Sequence, residues 1–200
     1  MPLFFEEVIK AITALSSWEA LAVVLAIAYL LLAMRQSLWC WPAAFVSTLI
    51  YTILFFDAAL LMDSLLNAYY LIMAVYGWYS WQHGNRGDAT LPVSSWGVTR
   101  NVQIILGLAV LSLGVGYVMD NYTRADFAYL DAATTVFAVF STYLLAKKIL
   151  ENWLYWIVID AVSIYIYVQK AFYLTAVLFF VYTVLAGLGY LQWKKDASAP

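Results

Sequence analysis

On the segment from Asn152 to Tyr167, residues Trp156, Asp160, Ser163 and Tyr167 recur at intervals of four, three and four. That spacing puts them on one face of a helix. Asn152 and Trp153 extend the stripe at its start. The residues around the stripe are mostly Ile, Val, Leu, Ala and Tyr, so the helix reads as one lying in oil. A carboxylate at the centre of such a helix costs about 2.5–3.5 kcal/mol on insertion scales. Asp160 stands about 12 Å along the axis from Asn152, too deep for its short side chain to reach water. One bland account is a protonated carboxyl, or one bonded to a neighbouring hydroxyl. The chemical account is a contact with a flat organic cation. Ring faces stack on such a ligand and attract its charge, and the acid adds a charge-assisted hydrogen bond.

Two further stripes carry polar groups. One runs Asp63, Asn67, Tyr70, Ala74, Gly77 or Trp78, and Trp81; a weaker one runs Asp131, Thr134 or Thr135, Ala138 and Thr142. Trp41, Thr48 and Thr52 mark a fourth segment. Each has a plain reading as well. Asp131 suits an N-cap, Asn67 suits hydrogen bonding between helices, and Asp63 is near enough to a helix end to meet water.

The elements that must position these groups follow from composition. The chain has 200 residues, 66% of them hydrophobic and 11% charged, with mean hydropathy +0.83. A soluble domain carries about 25% charged residues, so this chain is an all-α membrane protein with the lipid bilayer as its solvent. A net charge of −2 excludes nucleic acid as the expected partner. The single Cys40 and single His83 leave no disulfide, cysteine-rich metal site or triad, and no cofactor is expected. MPLFFEEVIK is acidic where a signal peptide is basic, and Phe4, Phe5, Val8, Ile9, Ile12 and Leu15 predict a short amphipathic helix on the membrane surface.

A span needs about 20 apolar residues. Seven are predicted, at 18–34, 38–56, 60–81, 102–119, 129–146, 152–168 and 172–192, with a polar stretch at 82–97 and a frayed tail KKDASAP. Residues 1–200 thus read as a single membrane domain. Alternate ends of these spans hold Lys10, Arg124 and Lys170 on one side. Arg35, Arg86, Arg100, Lys147, Lys148, Lys194 and Lys195 lie on the other. The richer side is expected in the cytoplasm, with the N-terminus periplasmic and the C-terminus cytoplasmic.

Shifted by 112 positions, the two ends of the chain match without a gap: Arg35 with Lys147, Trp41 with Trp153, Tyr70 with Tyr182, Gly77 with Gly189, Trp81 with Trp193. The expectation is a duplication: a first three-helix repeat at 18–81, a linker helix at 102–119 and a second repeat at 129–192. The extra span makes the repeats parallel, with a site between them. The second, third, fifth, sixth and seventh spans are expected to line a cavity. The first, which apart from Tyr29 has no stripe, and the fourth are expected nearer lipid.

YGWYSW at 76–81 and ENWLYW at 151–156 resemble motifs of the PnuC family of bacterial vitamin transporters, and the likeness runs over nearly the whole chain. The resemblance implies a 3+1+3, SWEET-like fold in the bacterial inner membrane and facilitated uptake of a vitamin precursor that phosphorylation then traps. It implies substrate contacts from Asn67, Tyr70, Trp78, Trp153, Trp156, Asp160 and Tyr167, with Ser163 on the same stripe and Asp131 and Thr134 beside them. The chain departs from the nicotinamide riboside type where Asn67 replaces a longer amide and Asp160 replaces an amide. It is also shorter in its N-terminal and central regions. The acid points the expectation to the thiamine-type branch, with nicotinamide riboside as the alternative; riboflavin, larger and uncharged, gives the acids no task.

With no GxxxxGK[ST] loop and no chain of Asp, Glu and His, the expected mechanism is uniport by alternating access. An intramembrane enzyme lacks a nucleophile or metal set. The membrane subunit of a larger transporter and a sugar carrier are the other rivals, and self-association into a homo-oligomer is left open.

Overall fold

The computed structural model describes residues 2–57, 61–84, 91–123 and 126–197. Eight helices follow one another among them: α1 (Pro2–Ala14), α2 (Ser17–Met34), α3 (Cys40–Asp57), α4 (Leu61–His83), α5 (Gly97–Tyr122), α6 (Ala128–Ala146), α7 (Asn152–Gln169) and α8 (Tyr173–Ala197). Helices suit oil because each satisfies its own backbone. The start of α2 is closed by a capping box. The Ser16 hydroxyl accepts from the Glu19 N–H at 3.2 Å, and the Glu19 carboxylate accepts from the Ser16 N–H at 2.7 Å.

The expected seven-span, 3+1+3, SWEET-like count is corrected by this architecture. Five of the eight helices are long and apolar enough to cross a membrane: α2, α3, α5, α6 and α8. The segments 60–81 and 152–168 do form helices, α4 and α7, but they fall short of that hydropathy. The reason is their cargo. Asp63, Asn67, Ser80, Gln82 and His83 dilute α4, Asn152, Asp160 and Ser163 dilute α7, and both are crowded with Tyr and Trp. The tail also differs from expectation, since Lys194–Ala197 continue α8 as helix. Arg86, Arg124 and the last three residues lie outside the described residues.

α3 packs between α2 and α4, and α7 packs between α6 and α8; α4 meets α6, and α2 meets α8. α5 lies against α6, while α2 and α5 bury few of their residues. A short strap ties the start of α5 to the α6–α7 turn. The Ser94 N–H donates to the Lys148 carbonyl at 3.0 Å, and the Leu150 N–H donates to the Ser94 carbonyl at 2.8 Å. The Glu151 carboxylate accepts from the N–H groups of Trp96 and Gly97 and from the Ser95 hydroxyl, meeting donors at a helix start that have no partner within the helix.

Residues 112 apart meet matching surroundings. Gln36 and Lys148 both take left-handed backbone, with φ 53° and 51°. Behind them the Ser37 N–H donates to the Leu32 carbonyl at 3.0 Å, and the Ile149 N–H donates to the Leu144 carbonyl at 2.9 Å. Trp41 stands edge-on to Trp81 at 5.3 Å, as Trp153 does to Trp193 at 5.4 Å. Two bonds then cross. Trp81 Nε1 donates to the Leu145 carbonyl at 3.2 Å, and Trp193 Nε1 donates to the Ala33 carbonyl at 3.1 Å. The four indoles are fully or almost fully buried and form the centre of the main core.

Gly77 and Gly189 make room for this cluster. A Cβ at Gly77 would lie 2.3 Å from the Trp41 ring, and one at Gly189 would lie 2.8 Å from the Trp153 ring. Gly77→Ala and Gly189→Ala are each expected to destabilise the protein by about 1–3 kcal/mol through overpacking, seen as a lowered thermal midpoint in detergent.

Lys148 is buried in the same region, and burial pulls its ammonium down from 10.5 to about 8, against the opposing pull of Cys40 and Asp196 nearby. Between those values the unfolded chain binds more protons than the folded one, so stability rises with pH in that window. Relative to Lys148→Met, which cannot titrate, the wild type is expected to gain thermal stability from about pH 7.5 to about pH 9.5; paired melting curves at the two pH values check it.

Candidate functional site

α7 presents its stripe inward. Asn152, Trp153, Asp160 and Ser163 are all buried, while Trp156 and Tyr167 are half-buried. Asp160 is 3% exposed, yet among the described residues it has neither a hydrogen bond nor an ion pair. It is therefore neither turned to lipid nor locked to a protein donor. The Tyr182 hydroxyl on α8 lies within electrostatic range of its carboxylate, and Tyr51 on α3 lies within range of Tyr182. Tyr29 on α2 faces Tyr70 on α4 in the same way.

The remaining expected residues divide by depth. At the end of the bundle where α4 and α6 begin and α7 finishes, Asp63 and Asp131 both approach Tyr167. The Lys170 ammonium sits 3.5 Å from the Asp131 carboxylate, over the Phe127 ring. Asp131 is thus not an N-cap, because α6 starts three residues earlier and Phe127 occupies the cap. Asn67 donates to the Asp63 carbonyl at 2.9 Å, and the Thr134 hydroxyl donates back to its own helix. Tyr167 stacks on Phe179 at 5.3 Å. Counting along the helices from the Asp63–Tyr167 level, Tyr70 and Asp160 both lie about 10 Å deeper. They share the middle of the bundle.

Trp78 and Trp153 lie towards the opposite end. Trp153 belongs to the tryptophan cluster, and among the described residues its Nε1 is buried without a partner, as is that of its match Trp41. Asn152 donates to the Ile149 carbonyl at 2.6 Å, and its own oxygen has no partner among the described residues. Trp78 donates to the Gln82 side chain at 3.0 Å and packs against the exposed Trp39. The structure therefore sets Trp78 about 12 Å beyond Tyr70, nearer the surface than the acid. The middle level, by contrast, gathers Asp160 and Ser163 with two rings absent from the expected set, Tyr182 and, within its range, Tyr51, while Tyr29 stands between Tyr70 and the Trp41 ring. The sequence held a signal for Tyr182 and Tyr51. Shifting Tyr70 by 112 gives Tyr182, and shifting Ser163 back gives Tyr51.

Among the described residues no group of three or more His, Cys, Asp or Glu side chains could hold a metal ion. A groove of about 390 Å³ opens between α1, the start of α2 and the α7–α8 turn. Its two carboxylates, Glu7 and Glu19, are already engaged by Lys10 and by the Ser16 cap.

Apolar helices enclosing a carboxylate that has no hydrogen-bond or ion-pair partner among the described residues define a class: a multi-pass membrane protein with an acid buried at mid-depth. Comparison with known proteins refines it. Residues 16–195 match the family described as Nicotinamide mononucleotide transporter. The nicotinamide riboside transporter PnuC of Escherichia coli K12 is 24% identical over 177 residues, covering 76% of this chain and 74% of that protein. The riboflavin/roseoflavin transporter RibM of Streptomyces davaonensis is 25% identical over 175 residues, covering 85% and 81%. The crystal structure of the vitamin B3 transporter PnuC superposes with a TM-score of 0.73 at 18% identity, over 97% of this chain and 88% of that one, which shows a shared fold. The chain belongs to the nicotinamide mononucleotide transporter (PnuC) family, and it is a multi-pass inner-membrane transporter.

An unpaired buried carboxylate costs stability that its amide does not. Asp160→Asn is therefore expected to raise the thermal midpoint of the ligand-free protein, by an amount on the order of 1–3 kcal/mol. Differential scanning fluorimetry in detergent checks it.

Proposed function

We propose that the protein carries nicotinamide riboside across the membrane by alternating access, with the ligand held at the level of Asp160. One observation supports this most: Asp160 is 97% buried and, among the described residues, unpartnered, beside Tyr182 and Ser163 on helices that enclose it. A site of that kind is completed by a positive guest with flat faces. Two vitamins of that description were weighed from the sequence, thiamine and nicotinamide riboside. The charge serves either cation. A relative named for nicotinamide riboside and another named for riboflavin shift the balance to nicotinamide riboside over thiamine. Riboflavin lacks the charge that would answer Asp160.

The same reading treats residues 18–81 and 129–192 as matched halves joined through 102–119, with the ligand between them. Arg35, Arg100, Lys147, Lys148, Lys194 and Lys195 gather at one end of the bundle and Lys10 and Lys170 at the other. The basic end is proposed to face the cytoplasm. An interior-negative potential then favours entry of a cation by about 2.3 kcal/mol per 100 mV, enough for accumulation without a coupled ion.

Calorimetric titration of the purified protein with nicotinamide riboside, thiamine and riboflavin tests the reading. Nicotinamide riboside is expected to bind, and Asp160→Asn to weaken it about tenfold or more, or about 1.4 kcal/mol. Binding of thiamine or riboflavin with no signal from nicotinamide riboside would replace the substrate. Unchanged affinity in Asp160→Asn would remove the acid from the site.

A further inference from the structure

At the basic end of the bundle two turns face each other across the junction of the halves. One joins α2 to α3 and carries Gln36; the other joins α6 to α7 and carries Lys148. These residues are 112 apart in sequence, share the left-handed backbone, and meet directly: Lys148 Nζ donates to Gln36 Oε1 at 3.1 Å. Gln36 Nε2 donates in turn to the Asp196 carboxylate in the last turn of α8, at 2.6 Å. The Lys148 ammonium also lies over the Trp81 ring, 4.5 Å from its centre. Just inside, the crossed indole–carbonyl bonds of Trp81 and Trp193 end on Leu145 and Ala33, each three residues before one of the facing turn residues.

The pair is chemically unlike at matched positions, and that difference matters. Two lysines there would repel, and two glutamines would bring no charge. One lysine and one glutamine let the amide accept from the ammonium and pass its own donor to Asp196. A buried ammonium is costly unless paired and hydrogen-bonded, so the contact holds only while the turns stay together. Lys147 does not share the load, since its ammonium turns to the Tyr76 ring. Parting the two halves at this end must break the Lys148–Gln36 bond and both indole bonds.

We propose that the Lys148–Gln36 contact is the latch that closes the basic end between the two halves, and that this end opens by parting the two turns. The proposal rests on the transport reading above, but its test does not use a substrate. The chain's single cysteine, Cys40, begins α3 directly after the first turn and is fully buried. Its labelling by a maleimide therefore reports opening of this end.

In the purified protein at constant pH, Cys40 of the wild type is expected to label slowly but to completion, as transient opening requires. Lys148→Gln is expected to label about tenfold faster or more, which is about 1.4 kcal/mol of lost closure. The exchanged pair, Gln36→Lys with Lys148→Gln, restores one ammonium facing one amide and is expected to return labelling close to the wild-type rate. A variant that merely loosens the fold would not be rescued by the exchange. The latch is overturned if wild-type Cys40 never labels, if Lys148→Gln labels at the wild-type rate, or if the exchanged pair labels as fast as the single variant. Failure of the vitamin titrations alongside a positive labelling result would instead sink the substrate reading and leave the latch standing.

Discussion

Two indole N–H groups satisfy carbonyls on the opposite half of the molecule, Trp81 on Leu145 and Trp193 on Ala33, and much of the architecture follows from that exchange. A helix that stops leaves carbonyls without intrahelical partners, and away from water each must find a donor. At the ends of α2 and α6 the Ala33 and Leu145 carbonyls accept from the Gln36 and Lys148 N–H groups at 2.9 Å, and each takes a second donor from an indole across the junction. The donor rings stand edge-on to Trp41 and Trp153, and it is against those two that Gly77 and Gly189 leave room. Packing at this junction thus sets the helix spacing and the choice of glycine.

The packed end is also the basic one, where Lys148, Gln36 and Asp196 answer one another; the middle holds the exception. Asp160 gains nothing from its protein neighbours among the described residues, whereas Asp131 is answered by Lys170 and Glu151 by the start of α5. The contrast separates acids that hold the fold from one that the described protein neighbours leave unanswered. Tyrosines on α2, α3, α4 and α8 surround that level, and they supply ring faces and hydroxyls at little cost in side-chain freedom.

Much of this was legible in the residues. The stripe on α7 follows from spacings of four and three, and the buried acid follows from its depth. The 112-residue offset pairs, in the sequence alone, Trp41 with Trp153, Trp81 with Trp193 and Gly77 with Gly189. Other points were not legible. Trp78 shares a helical face with Tyr70, but face says nothing of depth, and the structure sets it near Gln82 and Trp39 at the surface. Tyr29 sits on a helix whose own pattern is almost featureless, so only packing shows that it turns inward. The sequence also ranks α4 and α7 with the apolar helices, because aromatic rings look hydrophobic while their polar atoms and neighbours lower the helix's affinity for oil.

By itself the sequence determined the solvent of this protein, its helical content and the presence of a carboxylate with no local partner. Those properties depend on composition and on residues within a turn or two of one another. Only the tertiary structure decided that Asp160 stays unpaired among the described residues, that Lys148 reaches Gln36, and that two tryptophans reach carbonyls across the junction. Each depends on which residues from distant parts of the chain come within about 3 Å, a distance that periodicity along one helix does not encode.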